Sequence, residues 1–349
     1  MQQEEKNRTA RTIGILGVAI AIVVLILVVV GWGDRAEYSD NLGDDTSEIT
    51  EYHLPEEVGQ DAATNSDTKE NDVTTEMTTQ ETESTIQEEK TVDYANGTCG
   101  KNLEWALSVD GQLTITGYGD MYAYSYDDDV PWHEFRDMVI DVVIGDGVTS
   151  VARYSFLGCE NLKSVKLPNT VEKIGAKAFR MCESLESISL PDAIKEIPES
   201  AFFGCTSLKN VKLPSELRMI QAWAFEECVS LTSIELPQKL ELISDNVFED
   251  CSGLIEAELP KSLRSLGIEA FAGCENLRRI NIPAAVDGVY SAFLGCSNLE
   301  EVHFEGDAPN ISTNSFYGVS ATCYYPKGNK TWTISKMSDY GGKLNWVGE

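Results

Sequence analysis

A phenylalanine returns eight times at a nearly constant interval: Phe156, Phe179, Phe202, Phe225, Phe248, Phe271, Phe293 and Phe316. Every step is 23 residues except Phe271 to Phe293, which is 22. Proline keeps the same beat from Pro168 to Pro283, and cysteine from Cys159 to Cys274. A unit this short cannot bury its own apolar face, so copies must stack and share a core. That requirement excludes most globular architectures and leaves a solenoid, which offers a long surface.

One coil shows how the stack is built. Leu185, Ile188 and Leu190 alternate with Ser187 and Ser189, the pattern of a strand with one buried face. Pro191 ends that strand, because proline donates no ladder hydrogen bond. Ile194 and Ile197 point inward on the return path. Ala201, Phe202, Cys205 and Leu208 have the spacing of a helical or 3-10 turn. A period of about 20–29 residues is that of leucine-rich repeats. The expected fold is therefore a mostly β leucine-rich-repeat solenoid, a parallel sheet of short strands with short helical or 3-10 turns. Coils stacked at strand spacing rise about 4.8 Å each, so eight span roughly 40 Å. The one short step predicts a kink or bulge near Val286 to Val289.

The cysteines are not spaced as zinc ligands. Stacked neighbours would hold parallel Cα–Cβ bonds about 4.8 Å apart, too far for an unstrained disulfide. Val319 takes the cysteine slot of the eighth coil, so the column reads as buried free thiols. Cys99 and Cys323 lie outside it, and the sequence does not decide whether they are exposed or paired.

Before the repeats come two unlike segments. Ile13 to Val30 is 18 residues without a charge, long enough to cross hydrocarbon. Lys6, Arg8 and Arg11 precede it, which places the N-terminus in the cytoplasm and the repeats outside the cell. The alternative is a signal peptide cleaved near Gly31-Trp32-Gly33; its apolar run would be long for that role. Residues 34–98 carry 19 acids against three bases, a net charge of −16 within a chain total of −30. Like charge and low hydrophobicity predict a disordered acidic stalk, rich in Thr and Glu. This balance argues against nucleic acid as a partner.

The expected division is a cytoplasmic tail and transmembrane anchor (1–33), the stalk (34–98), an N-terminal β-hairpin cap (99–137), the repeats (138–320) and a C-terminal cap (321–349). The hairpin is read from the alternation of Leu103 to Ile115 around Asp110-Gly111. Val139 to Ile144 is the expected first strand of the solenoid. At the far end, Thr322 to Tyr325 reads as a strand, Thr331 to Asp339 as a short helix stopped by Gly341-Gly342, and Leu344 to Val347 as a closing strand.

The polar positions of the repeat strands form the candidate ligand-binding face: Ser164 and Lys166, Ser187 and Ser189, Asn210 and Lys212, Ser233 and Glu235, Glu256 and Glu258, Arg279 and Asn281, Glu301 and His303. The face is basic early, acidic at its middle and free of aromatics. Tyr122, Tyr124 and Tyr126 before Asp127-Asp128-Asp129 form a second candidate, an exposed loop without EF-hand spacing. No nucleophile elbow, catalytic-triad order or phosphate-cradling glycine loop occurs, so no catalytic residue, cofactor or metal ligand is assigned.

Residues 99–347 resemble the BspA-like leucine-rich repeat family of bacterial surface proteins. The resemblance is carried by Cys99-Gly100 with Leu103-Glu104-Trp105, by Gly117 to Met121, by Pro131-Trp132, and by Gly147 to Ser150. The recurring Ala-Phe-x-x-Cys-x-x-Leu-x-x-Ile-x-Leu-Pro, Tyr325-Pro326 and Trp332 complete it. Proline stands where the better-known leucine-rich consensus has asparagine after the strand. The resemblance implies display on the cell surface and, as in some members, adhesion to matrix proteins or other cells. The expected function is thus non-catalytic recognition of an extracellular protein or glycan; the alternative is an envelope spacer with no specific ligand.

Overall fold

The structure, a computed structural model, describes residues 93–349. The anchor at Ile13 to Val30, the tail and nearly all of the acidic stalk lie outside the described residues. The described residues all belong to one compact unit.

The N-terminal cap is a three-stranded antiparallel sheet of β1 (Asp93–Gly100), β2 (Leu103–Ser108) and β3 (Gln112–Gly117). Asp110-Gly111 makes the β2–β3 turn, with Gly111 at φ 89°. The expected hairpin is there, but β1 begins six residues before the cap boundary read from the sequence. That segment is polar and does not alternate, so its pairing with β2 holds it in place. Gly97 lies where a Cβ would come within 2.9 Å of the Trp105 indole nitrogen. A parallel pairing of β3 with β4 (Asp141–Ile144) then joins the cap to the solenoid.

Each coil contributes two strands. The longer one, for example Ser187–Ser189 or Arg279–Ile282, pairs in parallel with the equivalent strand of the next coil, so each residue faces its counterpart one repeat on; the ladder is interrupted between Ser164–Lys166 and Ser187–Ser189 and between Asn210–Lys212 and Ser233–Ile234. Proline follows the strand and its carbonyl opens a tight turn: Ile194 N–H donates to Pro191 O at 3.2 Å, and the same bond recurs from Pro168 to Pro283. The return path then forms a second ribbon of two-residue strands, such as Glu196–Ile197, Met219–Ile220 and Leu242–Ile243, also parallel. Sequence periodicity shows only the inward isoleucines here, because two residues are too few to alternate.

The third side is the Phe turn. Phe202 N–H donates to Ala224 O at 2.8 Å and Gly204 N–H to Glu226 O at 2.8 Å, so consecutive coils are hydrogen-bonded here as well. Within the coil, Cys205 N–H reaches back to Phe202 O and Leu208 N–H to Cys205 O, the i to i−3 bonding of a 3-10 turn. All eight phenylalanines are fully buried and stack in one column, with centroids 5.1–6.0 Å apart. Trp132 caps the column at 5.8 Å from Phe156, its indole N–H donating to Ser155 O.

The cysteine slot does more than fill space. Cys182, Cys205, Cys228, Cys251, Cys274 and Cys296 each donate Sγ–H to the carbonyl of the preceding coil's phenylalanine, at 3.0–3.3 Å. Cys99 and Cys323, whose state the sequence leaves open, are both buried and free. Burial pushes both thiols up to about 12.

Two expectations need correction. The short step is not taken at Val286–Val289. Pro260 to Pro283 and Leu266 to Val289 keep the 23-residue spacing, so the missing residue falls between Val289 and Phe293. Tyr290 takes the place of Gly267-Ile268. The short ribbon is interrupted here, with Ser265–Leu266 ending one ladder and Gly288–Val289 starting another, as it also is between Lys173–Ile174 and Glu196–Ile197, where the spacing is regular. The Phe271–Phe293 spacing, 6.0 Å, is the widest between phenylalanines in the column. Val286 and Val289 hold register because both fill the core, so the deletion is absorbed at the exposed Tyr290.

At the C-terminus, Ser320–Tyr325 and Lys343–Gly348 are parallel strands that extend the long ribbon. The helix expected over Thr331 to Asp339 is a single 3-10 turn, Ile334–Lys336. Gly341 and Gly342 do not stop a helix. They let the chain close over the end of the Phe column, where a Cβ on Gly342 would lie 2.5 Å from Phe316 O.

Candidate functional site

The outward side chains of the long ribbon stand in two rows, because strand residues alternate between faces. One row holds Ser164, then Ser187 opposite Asn210, then Ser233, Glu256, Arg279 and Glu301, the last four in register. The other holds Lys166, Ser189 opposite Lys212, the corresponding Glu235 and Glu258, and Asn281 opposite His303. Asn281, Glu301 and His303 are half-buried and the other eleven are exposed. All fourteen candidate residues thus face outward along one ribbon.

The structure lengthens the face at both ends. Asp141 and Val143 of β4 precede Ser164 and Lys166 in the same rows. Thr322 and Tyr324 follow Glu301 and His303. The face therefore has an aromatic after all: Tyr324 stacks on the His303 ring at 4.4 Å and 12°. Sequence periodicity missed it because Tyr324 lies past the last Phe coil, where the repeat pattern has stopped.

The C-terminal end of the ribbon is also where charges are linked. Arg279 Nη2 lies 2.6 Å from Glu301 Oε2, and Glu301 lies 3.5 Å from His303 Nε2. His303 Nδ1 meets Glu349 Oε1 at 3.3 Å. Beside this chain is a shallow recess of about 360 Å³, lined by Asn281, His303, Glu305, Tyr325, Pro326 and Glu349.

A second recess of similar size opens at the basic end, between Lys166, Ser189 and Lys212, with Asn169 and Asp192 at its edge. Asp192 Oδ1 accepts from Ser215 N–H at 3.2 Å, so it is engaged by the next coil.

The tyrosine loop divides. Tyr122 and Tyr126 are exposed, but Tyr124 is buried and its hydroxyl donates to Cys99 O at 3.4 Å. Burial raises the Tyr124 phenol well above its ordinary value. Asp127–Asp129 forms a 3-10 turn in which Asp129 Oδ2 accepts from Ser125 and Tyr126 N–H. Asp127 lies 3.7 Å from Arg136. These carboxylates hold the loop together. Among the described residues no group of His, Cys, Asp and Glu is disposed to hold a metal ion, and no helix is long and apolar enough to cross a membrane.

The model of the BspA type leucine rich repeat region, in six copies, matches residues 135–255 and 219–333, together more than half of the 349. The chain belongs to the BspA type leucine-rich repeat family. Among solved structures it is similar to a leucine-rich repeat protein of T. pallidum, at 29% identity over 63% of this chain and 88% of that one, with a TM-score of 0.42. A leucine-rich repeat protein of Bacteroides ovatus is 20% identical over 70% of this chain and 75% of its own, with a TM-score of 0.48. The pneumococcal vaccine antigen PcpA is 16% identical over 60% and 68%, with a TM-score of 0.42. No curated protein matches the chain. The family pattern covers the repeats, and within it the ribbon residues differ from coil to coil while the Phe, Pro and Leu positions recur.

Proposed function

We propose that this member of the BspA type family is a surface-displayed recognition protein whose long ribbon binds an extracellular protein or glycan without catalysis. The observation that carries this reading is the contrast between core and ribbon. Core positions repeat almost unchanged, whereas the outward rows pass from Lys166 and Lys212 through Glu235, Glu256 and Glu258 to Arg279 and His303. An interlocking core needs repetition; a specific contact surface needs difference. Leucine-rich solenoids typically serve as binding scaffolds, and both recesses on this ribbon are shallow. Display is proposed from the uncharged run Ile13 to Val30 and the basic residues before it, with the acidic segment 34–98 as the spacer.

The test is adhesion of cells carrying the full-length chain to immobilised matrix proteins and to a glycan panel, at low and raised salt. The triple substitution Glu235→Lys, Glu256→Lys, Glu258→Lys reverses the charge at the middle of the ribbon. Adhesion should be lost, and the wild-type signal should weaken as salt screens the contact. If the triple variant adheres as well as wild type, the ribbon is not the binding surface.

A further inference from the structure

We propose that the recess at the C-terminal end of the ribbon, where Asn281, His303, Glu305, Tyr325 and Glu349 meet, is a subsite for an uncharged sugar. The proposal deepens the recognition reading and rests on it.

Three observations converge there. The first is chemical: an amide, an imidazole and two carboxylates line one recess. The amide and the carboxylates are planar groups with two polar atoms, suited to neighbouring hydroxyls on a ring, while His303, with Nε2 facing Glu301 and Nδ1 facing Glu349, orients the Glu349 carboxylate. The second is the wall. Tyr325 and Pro326 give the recess an apolar side, and Tyr325 is backed by Trp332 at 5.4 Å. A pyranose has an apolar face that such a ring covers, while its hydroxyls point to the polar groups.

The third is rigidity. Glu349 N–H donates to Tyr325 O at 3.1 Å, and Lys327 N–H donates to Glu349 O at 2.8 Å. The Glu349 carboxylate therefore springs from a clamped backbone. His303 is held on one side by the Tyr324 ring and at its edge by Glu349. Groups fixed beforehand lose less freedom on binding, which matters most for weak ligands such as sugars.

Charge sets the class. Glu305 and Glu349 both face the recess, so a sulfated or carboxylated sugar would be repelled. Anionic ligands would find Lys166 and Lys212 at the opposite end.

The test titrates the full-length chain with lactose, chitotriose and mannotriose, following tryptophan fluorescence, since Trp332 lies against Tyr325 and Trp346 against Trp332. One of these neutral sugars should bind, and Glu349→Gln and Asn281→Ala should each weaken it on the order of tenfold with an unchanged melting curve. No binding, or binding that both variants leave intact, would overturn the subsite. So would preference for an acidic oligosaccharide lost in Lys166→Glu with Lys212→Glu. The two proposals fail separately. A charge-reversed ribbon that loses adhesion, in a chain that binds no sugar, keeps the ribbon and removes the subsite. Sugar binding in a chain whose ribbon variant still adheres does the reverse.

Discussion

Glu226 follows Phe225 in the fourth Phe turn, with Oε2 buried and lacking a hydrogen-bond partner. Burial, then the carboxylates of Glu249 and Glu227, raise its pKa from 4.5 to about 8; Arg180 opposes them and Asp250 adds to them. The folded chain thus holds a proton that the unfolded chain releases. A carboxyl raised in this way contributes its full stability below about 4.5 and loses it as pH climbs toward about 8. Thermal melts over that interval should show Tm falling with pH, and the fall should be shallower in Glu226→Gln. The variant should melt above wild type at the alkaline end. Equal slopes in the two proteins would show that this carboxyl does not titrate as its surroundings indicate.

At the scale of the element, the Phe turn places two residues in the left-handed region in every coil but the last, where only Gly318, two after Phe316, has a positive φ. One lies two before Phe (Lys177 at φ 59°, Trp223 at 58°, Glu269 at 55°) and one two after. The later slot is Gly158, Gly204, Gly273, Gly295 or Gly318 in five coils, but Met181, Glu227 and Asp250 in three. An L-residue there costs roughly 1–2 kcal/mol, of which glycine's extra freedom in the unfolded chain recovers a part. Asp250→Gly should therefore stabilise the fold by about 0.5–1 kcal/mol, read as a higher urea midpoint with an unchanged m-value. The neighbouring Gly273 already shows that the turn accepts glycine at this slot. A lower midpoint would mean that the Asp250 side chain contributes more than its backbone strain costs.

Across the whole molecule, the coils share one core from cap to cap. Each coil nevertheless touches only its neighbours, so the ends are the places where a solenoid frays. The thiols report on this directly. All nine cysteines are free and buried, and burial drives Cys99, Cys205, Cys296 and Cys323 up to about 12. Thiolate is the reactive form, so the native chain should resist a thiol reagent at about pH 8. In increasing denaturant Cys99 and Cys323, in the caps, should become labelled before Cys205 and Cys228 at the centre. Mass spectrometry of the labelled chain checks the order. Simultaneous labelling would mean that the stack opens as one unit.

The period of Phe, Pro and Cys was enough to establish the stack, its parallel ribbon and which strand positions face outward, because those follow from spacing alone. Whatever depends on a neighbouring coil was hidden. The sulfhydryl bond to the preceding Phe carbonyl spans 25 or 26 residues. The two-residue strands are too short to alternate. Gly342 is needed for the approach to Phe316 O, which a linear reading took for a helix stop. The recess at the C-terminal end belongs to the same class: Asn281 and His303 come from two coils and Tyr325 and Glu349 from the cap, and stacking sets them side by side. Local spacing decides which way a side chain points; the folded stack decides what it meets there, because contacts between coils are made by residues distant in the chain.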